Sequence, residues 1–205
     1  MNLYPDLIPV FPLSGVIYFP KTNLPLNIFE ERYLSLVNDA IKKNKLMGMI
    51  QAKKMGEEVY NVGCLGKISD YQKNSDGRLL INLTGITRFE ILQEVENTKL
   101  YREFKVKYEK FSLDLKPIIE EVKIFSLMDK VKIFFKKSGL LLNWKEFEKL
   151  EIVQKIDTLS MIAPVTNEEK QKLLESTSLS DKVKTLESII DFYLHEGNLK
   201  NSTIQ

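Results

Sequence analysis

The 205-residue chain is 43% hydrophobic and 28% charged, a balance that excludes a disordered or low-complexity polymer and suits one or two small globular domains. Its 30 basic and 28 acidic side chains leave a formal net charge of +2, too small to draw nucleic acid or an anionic membrane over distance without a local patch. A single cysteine, Cys64, excludes an internal disulfide and agrees with a reducing cytoplasm, and no run of about 18 uncharged apolar residues offers a membrane span.

The opening, MNLYPDLIPVFPLSG, has no basic leader, and three prolines interrupt its apolar run, so it does not read as a signal peptide. LIPVF (7–11) alternates apolar side chains around Pro9 and predicts a strand near a sheet edge, where a missing N–H is tolerated. VIYF (16–19) predicts a second short strand, with Ser14-Gly15 as the turn and Pro12 and Pro20 as stops. LPLNIF (24–29) is a third extended segment. At residue 30 the period lengthens: Tyr33, Leu34, Val37, Ala40 and Ile41 recur at helical spacing. Glu30 and Glu31 fall in the first turn, where negative charge meets the positive end of the helix dipole.

LMGMIQ (46–51) predicts a buried strand. VGCLGKISDYQ (62–72) and RLLINL (78–83) flank Asn74-Ser75-Asp76-Gly77, and Asp-Gly between apolar runs predicts a hairpin. Gly63 and Gly66 inside the first arm predict a bulge or tight bend, as in a small curved barrel. TRFEIL (87–92) alternates, and so does EFKVKYE (103–109), which sends Phe104, Val106 and Tyr108 inward and Lys105 and Lys107 outward. Residues 1–112 therefore read as a β-rich domain with one early helix.

Residues 113–205 read as helices. Ile118, Val122, Phe125, Met128, Val131 and Phe135 form a stripe between Leu115 and Lys137, with Gly139 as the stop. Asn143 and Glu146 resemble a capping box before a helix carrying Trp144, Phe147, Val153, Ile156, Leu159 and Ile162, which Pro164 ends. Thr166 and Glu169 have capping-box spacing for a short helix through Leu174. Ser180 and Asp181 open a last helix with Gly197 past its end and a polar tail beyond. The result is a bundle of three or four helices. No Gly/Ser linker precedes it, which predicts that it packs on the β part.

Equipment for chemistry is sparse. The single histidine, His195, near the end of the last helix, complements a carbonyl-rich terminus and has no partner at metal-ligand or triad spacing. Cys64 reads as a small apolar filler. Gly66-Lys67 is no phosphate loop, because Asn61 occupies the position of the earlier glycine and Ile68 that of the Ser or Thr. The carboxylate pairs Glu57–Glu58, Glu94–Glu96 and Glu120–Glu121 read as solvated surface. No catalytic residue, no metal ligand and no cofactor is expected.

Lys99, Arg102, Lys105, Lys107 and Lys110 interleave with Tyr101, Phe104 and Tyr108, as nucleic-acid platforms do. Strand alternation separates these rings from Lys105 and Lys107, so an ordinary half-buried strand is the better reading. What remains is the apolar start. Phe11, Leu13, Tyr18, Phe19, Leu24, Leu26 and Phe29 sit among five prolines and either plug a core or line a groove for another chain.

The order of these residues resembles a known family. Ile8-Pro9-Val10-Phe11-Pro12-Leu13, Val16, Pro20, and then Leu24-Pro25-Leu26-Asn27-Ile28-Phe29-Glu30-Glu31-Arg32-Tyr33 resemble the opening of the Lon protease amino-terminal, substrate-binding domain, especially its stand-alone bacterial versions. Val62-Gly63-Cys64-Leu65-Gly66, Asp76-Gly77 and Thr84-Gly85-Ile86-Thr87-Arg88-Phe89 are similar to that family's central strands, and Pro164 with Glu169 to Glu175 to its helical part. The resemblance implies an α+β fold: a PUA-like, six-stranded β-barrel with an inserted helix, followed by an α-helical bundle. It does not extend to the ATPase and peptidase modules of the full protease.

The resemblance implies a non-enzymatic, cytoplasmic module that binds polypeptide, either unfolded segments or a specific partner, with RNA binding by a PUA-like barrel as the alternative. The expected contact residues are Phe11, Leu13, Phe19, Leu26, Phe29, Glu30, Arg32 and Tyr33, with Glu30–Arg32–Tyr33 pinning the strand-to-helix joint. No membrane partner is expected, and the oligomeric state is left open.

Overall fold

The computed structural model describes residues 3–53, 58–116 and 122–202, with side chains through residue 195. Ile118 of the expected helical stripe, and Glu57, Glu120 and Glu121, lie outside the described residues. The chain divides into two units, residues 1–116 and 117–205.

The first unit holds β1 (Leu7–Leu13), β2 (Asn23–Ile28), α1 (Glu31–Lys42), β3 (Leu46–Ala52), β4 (Val59–Lys73), β5 (Leu79–Val95) and β6 (Arg102–Lys107). The strands form one sheet in the order β2-β5-β4-β3-β1-β6, and β6 also pairs with β5. Five strands thereby close into a ring. β2 is attached to the first half of β5, with Asn23 to Ile28 opposite Thr84 to Leu79. β6 takes the second half, with Lys107 opposite Glu90 and Glu103 opposite Val95. Among the described residues only the β1–β3 pairing is parallel, and α1 lies in the chain between β2 and β3. The Asp76-Gly77 hairpin forms as expected: Gly77 takes φ +88 and its N–H donates to the Asn74 carbonyl at 3.1 Å.

The ring is filled by alternation. Ile8, Val10, Ile50, Leu65, Phe89, Phe104 and Val106 form one buried cluster. Phe89 needs Gly63 beside it, because a Cβ at Gly63 would sit 2.6 Å from the ring and 2.4 Å from the Met49 carbonyl oxygen. Cys64, which is in no disulfide, is buried in β4 and serves as filler there.

Three strand expectations need correction. β1, expected near a sheet edge, lies between β3 and β6, and Pro9 is accommodated because it falls outside the Val10–Leu13 stretch that pairs with β3. RLLINL and TRFEIL are halves of one 17-residue strand, β5. The segment does not break at Gly85 because the two halves serve different neighbours, β2 and β6. VIYF (16–19) is not a strand. It joins no ladder among the described residues, and Ile17, Tyr18 and Phe19 are buried at 2%, 2% and 0% exposure. The segment is a plug laid against β5: Lys21 N–H donates to the Gly85 carbonyl and Gly85 N–H to the Thr22 carbonyl, both at 2.9 Å.

After β6 a 3-10 helix, Glu109–Leu115, buries Phe111. The helix expected from Leu115 starts only at Phe125. The second unit comprises α2 (Phe125–Lys137), α3 (Trp144–Phe147), α4 (Ile152–Ile162), α5 (Asn167–Glu175) and α6 (Leu179–Ser202). Gly139 ends α2 with φ +70, and Leu140 N–H returns to the Phe135 carbonyl at 2.9 Å. Asn143 caps α3, accepting from Glu146 N–H at 3.3 Å. The expected run from Trp144 to Ile162 is two helices, because Glu151 N–H takes the Gln154 side-chain oxygen at 3.3 Å and starts α4 afresh.

Thr166 and Glu169 form the reciprocal capping box of α5, at 2.8 and 3.2 Å. The core is Leu127, Val131, Phe135, Phe147, Ile156, Leu159, Leu173, Leu186 and Ile190. Within it Lys182 Nζ donates to Asp157 Oδ1 at 2.5 Å, both residues nearly inaccessible, tying α6 to α4. α6 runs through Gly197 rather than stopping there. Exposed His195 is therefore about two turns from the helix end, beyond the reach of its dipole. Among the described residues no helix is long and apolar enough to cross a membrane.

Candidate functional site

The joint between β2 and α1 is built by a change of period. β2 alternates, with Leu24, Leu26 and Ile28 toward the core side and Asn23, Pro25 and Asn27 outward. Glu30 still has extended geometry, φ −73 and ψ 135, and its carbonyl accepts from Tyr33 and Leu34 N–H at 3.0 and 2.9 Å to open the helix. Its side chain makes no cap. Instead Glu30 Oε2 accepts from Arg32 Nε at 3.0 Å and lies 2.8 Å from Nη2.

Arg32 lies with its guanidinium 4.5 Å from the Tyr33 ring centre, a cation–π distance. The Tyr33 ring meets Phe11 edge-on, 4.1 Å between centres, and its hydroxyl donates to the Pro12 carbonyl at 3.4 Å. Burial raises the Tyr33 phenol above its ordinary pKa, while neighbouring Arg32 opposes that rise. A chain of contacts therefore runs from β1 through Tyr33 to Arg32 and Glu30.

The structure sorts the eight expected contact residues into three groups. Phe19, Phe11 and Tyr33 are 0%, 6% and 8% exposed and offer no open surface. Phe19 belongs to the plug, and Phe11 and Tyr33 are covered because α1 lays its buried face over β1. Leu13 and Leu26 are half-buried. Phe29, Glu30 and Arg32 are exposed, Phe29 at 64%.

Arg78 belongs with this exposed group and was not expected there. Ile28 pairs with Leu79, so the next residue outward on each strand brings Phe29 and Arg78 together, and the guanidinium stands 6.0 Å from the ring centre. Arg78 is held from behind by Asp76, Nε to Oδ2 at 3.3 Å. Leu80, opposite Asn27, is 42% exposed on the same hairpin. The Asp-Gly turn alone told that Arg78 begins a strand, but not that β2 lies beside it.

The basic run is organised differently. Lys99 pairs with Glu103 at 2.6 Å, Arg102 with Glu94 at 2.6 Å, and Lys107 and Lys110 with Glu90 at 3.4 and 3.3 Å. The Arg102 fork holds the Glu94 carboxyl below the ordinary glutamate range. Tyr101 and Phe104 are buried, so no stacking platform opens beside these cations. Among the described residues, no group of three or more His, Cys, Asp or Glu side chains is placed to hold a metal ion.

Residues 7–191 match the family described as the ATP-dependent protease La (LON) substrate-binding domain. A Lon protease of Syntrophus aciditrophicus is 24% identical over 206 residues, which cover 93% of this chain and 25% of that protein. The chain thus spans about a quarter of the length of the curated relatives it matches. Among solved structures, a Lon N-terminal domain protein from Xanthomonas campestris superposes with a TM-score of 0.65 at 19% identity, over 88% of this chain and 96% of that one. The N-terminal domain of the Mycobacterium avium complex Lon protease does so at 0.63 and 16%, over 90% and 98%. These two likenesses show the fold.

Proposed function

Because the chain belongs to the Lon substrate-binding domain family, we propose that it is a non-enzymatic module that recognises polypeptide through the exposed surface around Phe29. The observation that carries this is Phe29 itself: an aromatic side chain 64% open to solvent, on a joint whose neighbours are fixed by contacts. A rigid aromatic anchor gains apolar burial on binding and loses little side-chain freedom. Arg78, 6.0 Å from the Phe29 ring centre, and Arg32, exposed on the first turn of α1, add charge and planar stacking surface. Leu80, opposite Asn27 and 42% exposed, extends the apolar area. Buried Phe11, Phe19 and Tyr33 act beneath the surface as its support.

Recognition is what we carry over from the relatives, and bond cleavage is not. RNA binding finds less support, since four cations of the basic run already face carboxylates and two of its rings, Tyr101 and Phe104, are buried. Calorimetric titration with a chemically unfolded, casein-like chain tests the reading. Association is expected in the micromolar range, with Phe29→Ala weakening it about tenfold at an unchanged melting temperature. No association at tens of micromolar would remove the general-binder form of the proposal.

A further inference from the structure

We infer that the cavity between the start of β1, the end of α1 and β6 receives one cationic side chain, lysine or arginine, of a bound polypeptide. This rests on the polypeptide-binding reading and adds the class of residue selected. The cavity measures about 100 Å³. Apolar cavities of about 150 Å³ hold a benzene molecule, so this space suits the few heavy atoms of a lysine side chain.

Its lining is of two kinds. Pro5, Leu7 and Pro9 supply apolar surface for a methylene stem. Asp39, Tyr101 and Glu103 supply the polar part. Tyr101 donates its hydroxyl to Asp39 Oδ2 at 2.9 Å, which fixes the carboxylate and leaves Oδ1 without a hydrogen bond among the described residues. Glu103 is already matched, one oxygen accepting from Lys99 at 2.6 Å and the other from Asn97 at 3.2 Å. Asp39 is therefore the carboxylate with capacity to spare.

Two features keep it so. α1 ends at Lys42 beside the cavity, and the negative end of its dipole adds to the Asp39 charge. Lys43 stands four residues beyond Asp39, the spacing of a helical ion pair. It has left the helix, at φ −102 and ψ −105, and no ion pair joins the two among the described residues. Lys43 lines the same cavity and competes with an incoming cation without neutralising the site.

The test is nuclear magnetic resonance titration of the ¹⁵N-labelled full chain with N-acetyl-lysine-N-methylamide and with its norleucine counterpart, which keeps the stem and lacks the charge. The lysine probe is expected to shift the amide signals of Asp39, Lys43 and Tyr101 saturably in the millimolar range, the norleucine probe about tenfold more weakly. Asp39→Asn, which retains an acceptor for Tyr101, is expected to abolish the difference between the probes. Lys43→Met is expected to strengthen the lysine response. Equal responses to the two probes, an unchanged response in Asp39→Asn, or no saturable shift up to about 10 mM would each overturn the inference. The probe is a single residue, so its failure leaves the Phe29 surface standing. Failure of the unfolded chain to bind leaves the cavity result to stand or fall alone.

Discussion

Asp114 grips Arg88 at two points: its carboxylate accepts the Arg88 backbone N–H at 2.9 Å and the guanidinium Nη2 at 2.7 Å, with the side chains only 8% and 5% exposed. The guanidinium also lies 4.3 Å from the centre of the Phe111 ring. The segment after β6 is thus fastened to the middle of β5. Removing one partner strands a buried charge. Asp114→Ala is expected to cost about 3–5 kcal/mol, whereas Asp114→Leu with Arg88→Met is expected to recover most of that loss. Urea unfolding of the three proteins at pH 7 checks both outcomes.

Gly85 is where the plug touches the sheet. A Cβ there would come within 2.1 Å of the Phe19 carbonyl oxygen, and that oxygen belongs to backbone that cannot rotate aside. Gly85→Ala is expected to lower stability by about 1–3 kcal/mol by displacing residues 16–22. Thermal unfolding reads the loss. Loss of hydrogen-exchange protection at the Lys21 and Gly85 amides, which bond across this contact, shows where it arises.

In the helical unit, Lys130 links α2 to α6 through Glu187 and Asp191, each at 2.8 Å. Lys130 and then Ser126 hold the Glu187 carboxyl below its ordinary value. A depressed carboxyl contributes stability that is complete above its unfolded pKa and is lost as pH falls through the lower, folded value. The melting temperature is therefore expected to drop in that acid window, and Lys130→Met is expected to flatten the dependence. Raised pKa at Lys130 acts at the other extreme, its contribution fading only as pH climbs past the usual lysine range. A pH series of thermal melts on both proteins decides it.

Local chemistry was legible wherever a single turn or cap decides the outcome. Asp76-Gly77, Gly139 and the Thr166–Glu169 box read correctly because their geometry is settled within a few residues. VIYF misled because a buried plug and a paired strand look alike in sequence, and only a neighbour distinguishes them. β5 read as two strands because its apolar alternation is clear only over 78–83 and 87–92; Gly85 between them answers to the close approach of Phe19. Gly197 resembled a helix stop, yet a single glycine costs a helix only about 1 kcal/mol and does not end it alone.

For the candidate site, the aromatic residues near the start were all visible, but their fates were not. Phe11 and Phe29 are the same side chain in similar extended runs. One is covered because α1 docks on β1, and the other stays open because it falls at the end of β2. Arg78 entered the site only through the register of β2 on β5, a pairing between residues about 50 apart that no local pattern encodes.

The central claim, that polypeptide is held at the β2–α1 joint, is tested most directly by mapping an unfolded chain's footprint with hydrogen exchange on the full protein. Slowed exchange at residues 26–33 and the 76–80 hairpin, absent there in Phe29→Ala, is the result this account predicts. A footprint confined to the helical unit, or one unchanged in Phe29→Ala, would contradict it.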